Sequence, residues 1–87
     1  MLEKIKLSLR ITNSEFDNEI QDLINACELD LKMSGVSDSL IKKQDSLISQ
    51  AVQTYCKANF GFDNPEAERF REAYASLKAF LAIVYRE

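Results

Sequence analysis

Apolar residues recur along the chain with the spacing of helices. Leu2, Ile5 and Leu9, with Leu7 beside them, predict a first helix over about residues 1–9, with Lys4 and Lys6 facing away from it. Phe16, Ile20, Leu23, Ile24, Cys27 and Leu31 form one continuous stripe and predict a second helix over about 15–34. Thr12-Asn13-Ser14-Glu15 has the spacing of a capping box at its start, with Ser14 or Asp17 as alternative caps. Gly35 suits the left-handed position at its end. Leu47, Ile48, Ala51, Val52, Tyr55, Cys56 and Phe60 give the inner face of a third helix over about 46–60, with Asp45 as its cap and Gly61 as its stop. Asn64-Pro65 reads as cap plus first residue of a fourth, over about 65–85, where proline's missing amide costs nothing. Its stripe is Ala67, Phe70, Tyr74, Leu77, Leu81 and Val84, widened by Ala73 and Phe80.

These segments and short loops predict an all-α fold: a compact bundle of about four helices, one short and three longer, in a single domain over residues 1–87. Phe70, Tyr74 and Leu77 are expected to pack against Ile20, Leu23, Ile24, Val52 and Tyr55. The connector 37–45 is polar apart from Leu40 and Ile41, and Ser37-Asp38 can start a short turn of helix. Phe60 and Phe62 are read as packing around the tight turn before Pro65.

Composition agrees. The chain is 46% hydrophobic and 29% charged, which excludes disorder, and its two glycines and one proline are too few for a turn-rich β fold. No apolar run is long enough to span a bilayer, and the mixed charges after Met1 give no secretory signal, so residence in a reducing cytosol is expected. Cys27 and Cys56 fall on apolar helix faces and are read as buried free thiols.

Candidate chemistry is sparse. The chain has no histidine, the commonest general base and metal ligand. Two isolated cysteines make no structural zinc site, and no glycine-rich phosphate loop is present. Carboxylate pairs such as Glu15/Glu19 and Glu66/Glu68 read as solvated helix surface. No enzyme activity, cofactor or metal is expected.

Charge is uneven. The whole chain carries −3, whereas residues 11–40 alone hold seven acidic and one basic side chain, a net −6. Glu15, Glu19 and Asp22 share one stripe of the second helix, which reads first as a solvated face and alternatively as a surface that repels DNA or meets a basic partner. Lys42-Lys43 and Lys4/Lys6/Arg10 are small basic patches without the cation surplus that phosphate binding requires. Leu29, Met33 and Val36 lie off the main stripe of the second helix, and Leu40 and Ile41 interrupt a polar connector. With Lys42, Lys43 and Arg71 they form the candidate subunit or partner interface, in which the acidic helix of one copy meets those basic groups on the next. The alternative is that the apolar members cover the first helix of the same chain.

Three stretches resemble a known family. They are Met1-Leu2-Glu3-Lys4-Ile5-Lys6-Leu7-Ser8-Leu9-Arg10-Ile11, then Phe16-Asp17-Asn18-Glu19-Ile20, then Ala51-Val52 with Tyr55-Cys56-Lys57-Ala58-Asn59-Phe60-Gly61-Phe62-Asp63-Asn64-Pro65-Glu66-Ala67, continuing into Phe70, Tyr74 and Ser76-Leu77-Lys78. In this order they resemble the small head–tail connector proteins of tailed phages and prophages, which act in DNA packaging and head completion. The segment Ser37–Asp45 is longer and more polar than in many relatives, and the Gln-Leu-Arg-Gly-like ending of some is replaced by Val84-Tyr85-Arg86-Glu87.

The resemblance implies a virion protein of the head–tail interface, assembled in the host cytoplasm. It implies a homo-oligomeric ring of about a dozen copies below the portal protein, with a tail-side connector or stopper protein as the other neighbour. DNA would pass through without sequence-specific binding, and no membrane is involved. The competing reading of the same residues is a small cytosolic helical regulator that binds one protein partner.

Overall fold

A computed structural model describes residues 1–61 and 64–87. It contains five helices: α1 (Leu2–Leu9), α2 (Asp17–Met33), α3 (Asp38–Lys43), α4 (Ser46–Asn59) and α5 (Ala67–Val84). The all-α bundle is therefore as expected, and the short turn allowed at Ser37-Asp38 is a helix of its own. Among the described residues the one extended pairing is a bridge between Val36 and Arg86. There Ser37 N–H donates to Tyr85 C=O at 2.7 Å and Glu87 N–H to Gly35 C=O at 3.3 Å, tying the C-terminal residues to the α2–α3 corner.

The helix ends follow local chemistry. Asp45 caps α4, its carboxylate accepting the Ile48 N–H at 3.0 Å. Gly35 (φ 101°) closes α2, with Val36 N–H reaching back to Leu31 C=O and Gly35 N–H to Lys32 C=O, both at 3.1 Å. The same motif ends α1 with Arg10 in the left-handed position. Two starts differ from expectation. The Thr12–Glu15 capping box does not form: Asn13 Oδ1 accepts the Glu15 N–H at 3.0 Å in a turn, and α2 begins two residues later without a side-chain cap. Similarly, Asn64 Oδ1 accepts the Glu66 N–H at 3.0 Å, so Asn64-Pro65 forms the turn before α5.

The core gathers Ile5 from α1, Ile20, Ile24, Cys27 and Leu31 from α2, Ile41 from α3, Ile48, Ala51, Val52 and Cys56 from α4, and Tyr74 and Leu81 from α5. Leu23, Tyr55 and Leu77 pack around it half-buried. Tyr74 meets Tyr55 edge-on with ring centres 5.1 Å apart. Phe70 stays outside that cluster, under the cationic groups of Lys57 and Arg69. Phe16 precedes α2 and stacks edge-to-face on Phe60 at 5.5 Å, so Phe60 packs across the bundle; Phe62 lies outside the described residues.

Helix α4 stands at the centre, packed by α1, α2 and α5. Both cysteines are free and buried, as expected, and burial pushes each thiol up to about 12. The radius of gyration, 12.5 Å, is near the value of about 12 Å for a packed chain of this length.

Leu81 is fully buried and Ile83, two residues on, is mostly exposed. Leu81→Ala is expected to lose about 2–5 kcal/mol by urea unfolding. Ile83→Ala is expected to stay within about 0.5 kcal/mol of the parent.

Candidate assembly surface

The surface divides by chemistry. Helix α2 turns Ile20, Ile24, Cys27 and Leu31 inward and presents Glu19 and Asp22 to solvent, with Glu15 exposed just ahead of it. Helix α1 deals with its charges differently. Lys6, expected to face outward, is buried: its stem lies along the core and its ammonium pairs with Asp17 at 2.8 Å. Leu7 takes the outward position instead and is 80% exposed.

Helix α5 turns Tyr74, Leu77 and Leu81 inward. Flanking that face, Ala73, Ser76, Phe80 and Ile83 follow one another at i, i+3, i+7 and i+10, with Val84 adjacent, and all are exposed. Phe80 and Val84 each show 49% of their surface and Ile83 shows 68%. Ala73 and Phe80 thus widen the inner stripe only as an exposed, outward margin, and Val84, expected on the inner stripe, is exposed with them. Between Ala73 and Val84 the only charged residue is Lys78.

Lys78 does not reach the outward stripe. It leans across Tyr74 and its ammonium lies 3.0 Å from Asp30 Oδ2 on α2. Tyr74 Oη donates to the same oxygen at 2.6 Å, and Cys27 Sγ donates weakly to Tyr74 Oη at 3.7 Å. Desolvation raises the Asp30 carboxyl, but the hydrogen bonds from Tyr74 and Lys78 outweigh it and hold the group below the ordinary carboxylate range. Burial, reinforced by the bond to Asp30, drives Tyr74 far above the usual phenol range. This network locks α5 onto α2 and removes the one charge from the apolar half of α5. Sequence reasoning missed it, because Asp30 lies 44 and 48 residues along the chain from Tyr74 and Lys78.

The residues expected at an interface separate into three groups. Val36 and Ile41 are core residues of the chain's own fold and face inward rather than outward, and Leu40 is half-buried. Leu29 and Met33 remain exposed, Met33 at 79%. Lys42 pairs with Asp38 and Arg71 with Glu68, each at 2.9 Å within one helix, whereas Lys43 is exposed. No group of His, Cys, Asp and Glu suited to a metal ion occurs among the described residues, and no described helix is long and apolar enough to cross a membrane.

Comparison with known proteins gives one match: a family model described as phage connector protein covers residues 1–87. The chain belongs to the phage connector family. No curated protein and no solved structure matches it. Connectors are structural components of phage particles that work against other head and tail proteins, and the surface features of this connector suit such work. In this connector the outward side of α5 stays uncovered within the chain.

Asp30→Asn tests the network through pH. A carboxyl held below its unfolded value contributes stability that is fully present above about pH 4 and is lost as pH falls through the lowered value. Asp38, through Lys42, and Asp45, through the Ile48 N–H and Tyr85, add to the same acid slope. The parent connector is expected to lose stability steadily from about pH 4 downward, and Asp30→Asn to start weaker at neutral pH and fall less steeply. Urea midpoints across that range check it.

Proposed function

We propose that this connector assembles as a ring below the portal, extends the channel through which DNA passes, and joins head to tail, with residues 1–87 acting as one domain. The observation that carries the reading is the outward stripe of α5. Burying Phe80, Ile83 and Val84 would add about 1.5–3 kcal/mol for each side chain fully covered, less in proportion to the part already buried. The gain is free of an ion-desolvation cost, since Lys78 is already held by Asp30.

The charge pattern supports the DNA part of the reading. A channel wall must let the duplex slide, and a net charge of −3 with exposed Glu15, Glu19 and Asp22 gives it little to hold. Leu29 and Met33, exposed on the outer side of α2, are candidates for contact with the portal or with a tail-side protein, as is Lys43, exposed in the last turn of α3. No catalytic step is assigned.

The test is disruption of the gene in its phage. Filled heads and free tails are expected to accumulate separately, and the connector supplied in trans to restore joining. Normal infectious particles without it would overturn the reading.

A further inference from the structure

Apart from Leu29 and Met33 on α2, two uncovered apolar features stand out among the described residues, and they lie on different flanks. One is the outward stripe of α5. The other is an open groove of about 510 Å³ between α1 and α4, lined by Glu3, Lys4, Leu7, Ser8 and Gln53, whose surface is mostly apolar. Lys4 Nζ reaches Ser49 Oγ at 3.4 Å on this side of α4, whereas Tyr55 meets Tyr74 of α5 on the other. Gln53 and Tyr55 are two residues apart, about 200° around the helix, so the groove and α5 sit on nearly opposite sides of α4.

We infer that the outward stripe of α5 in one copy docks in the α1–α4 groove of the next, making the contact head-to-tail. This inference rests on the ring reading and names its joint. The polarity matches: an apolar ridge led by Phe80 and Ile83 meets a groove whose exposed apolar residue is Leu7. The charges match as well. Exposed Glu3 stands at the groove's rim and exposed Arg86 just beyond the end of α5, and neither has an ion-pair partner among the described residues. The two signs would meet at the edge of the joint, where they favour one register. Because ridge and groove are different surfaces, each copy keeps one of each free, and the contact propagates instead of stopping at a pair.

Size sets the strength. The stripe from Ala73 to Val84 is about 18 Å long and about 10 Å across, a small footprint beside the roughly 800 Å² per partner of a stable complex. Two copies therefore meet weakly, and copies seated side by side on one platform are held together by their high effective concentration.

Disulfide trapping tests the joint. The native thiols are buried and raised to about 12, so added surface cysteines react alone. The chain carrying both Leu7→Cys and Ile83→Cys is oxidised as concentrated free protein and in purified particles. A ladder of dimers, trimers and longer multimers is expected from the double variant, at least about tenfold above the dimer yield of either single variant. Dimers from Ile83→Cys alone would show α5 meeting α5 and overturn the inference. So would the absence of a ladder in both samples, or a yield no greater than with Leu7→Cys and Asn25→Cys combined, Asn25 being exposed on α2. If the chain never enters particles but the free protein gives the ladder, the head–tail reading falls and the joint stands. If the chain enters particles and no ladder forms in either sample, the joint falls and the reading stands.

Discussion

Burying α4 is the constraint on which the other helices depend. Ile48, Ser49, Ala51, Val52, Thr54, Cys56 and Ala58, seven of its fourteen residues, are buried, a larger share than in any other described helix. In a chain of 87 residues that burial needs α1, α2 and α5 on three sides, and little apolar surface elsewhere remains to cover their outer faces. The shortage falls on α5. It is the longest helix, with eighteen residues, and only Tyr74 and Leu81 are buried. An apolar outer stripe is therefore left over once the monomer has folded, and it is available for use between copies.

Polar groups adjust to the same constraint. Lys6 threads its stem into the core to reach Asp17, and Lys78 crosses Tyr74 to reach Asp30. Both lysines would otherwise stand on apolar flanks. Drawing them inward links α1 to the start of α2 and α5 to its second half, and it leaves Leu7 and Phe80 as the outward features. The positive groups that remain exposed are scattered, while Glu15, Glu19 and Asp22 lie together at one end of α2.

The main helices were legible because their inner stripes are periodic, and Gly35 and Asp45 mark boundaries through local chemistry that needs no tertiary information. Errors arose where a residue's partner lies far along the chain. Lys6 read as outward because charge normally faces water, and Val36 and Ile41 read as leftovers because the α2–α3 corner that buries them is held by the C-terminal residues through Ser37 and Tyr85. The assembly surface was only partly legible. Leu29 and Met33 are exposed as expected, but periodicity gives no width for the buried stripe, and Ala73, Phe80 and Val84 lie just beyond its buried edge on α5.

A reconstruction of the particle's neck that resolves side chains measures the central claim directly. The arrangement described here places the Ala73–Val84 stripe of every copy against α1 of the next, with Phe80 and Ile83 covered and Leu7 beside them. Copies that touch through other surfaces, with Phe80 and Ile83 left facing solvent or DNA, would contradict it.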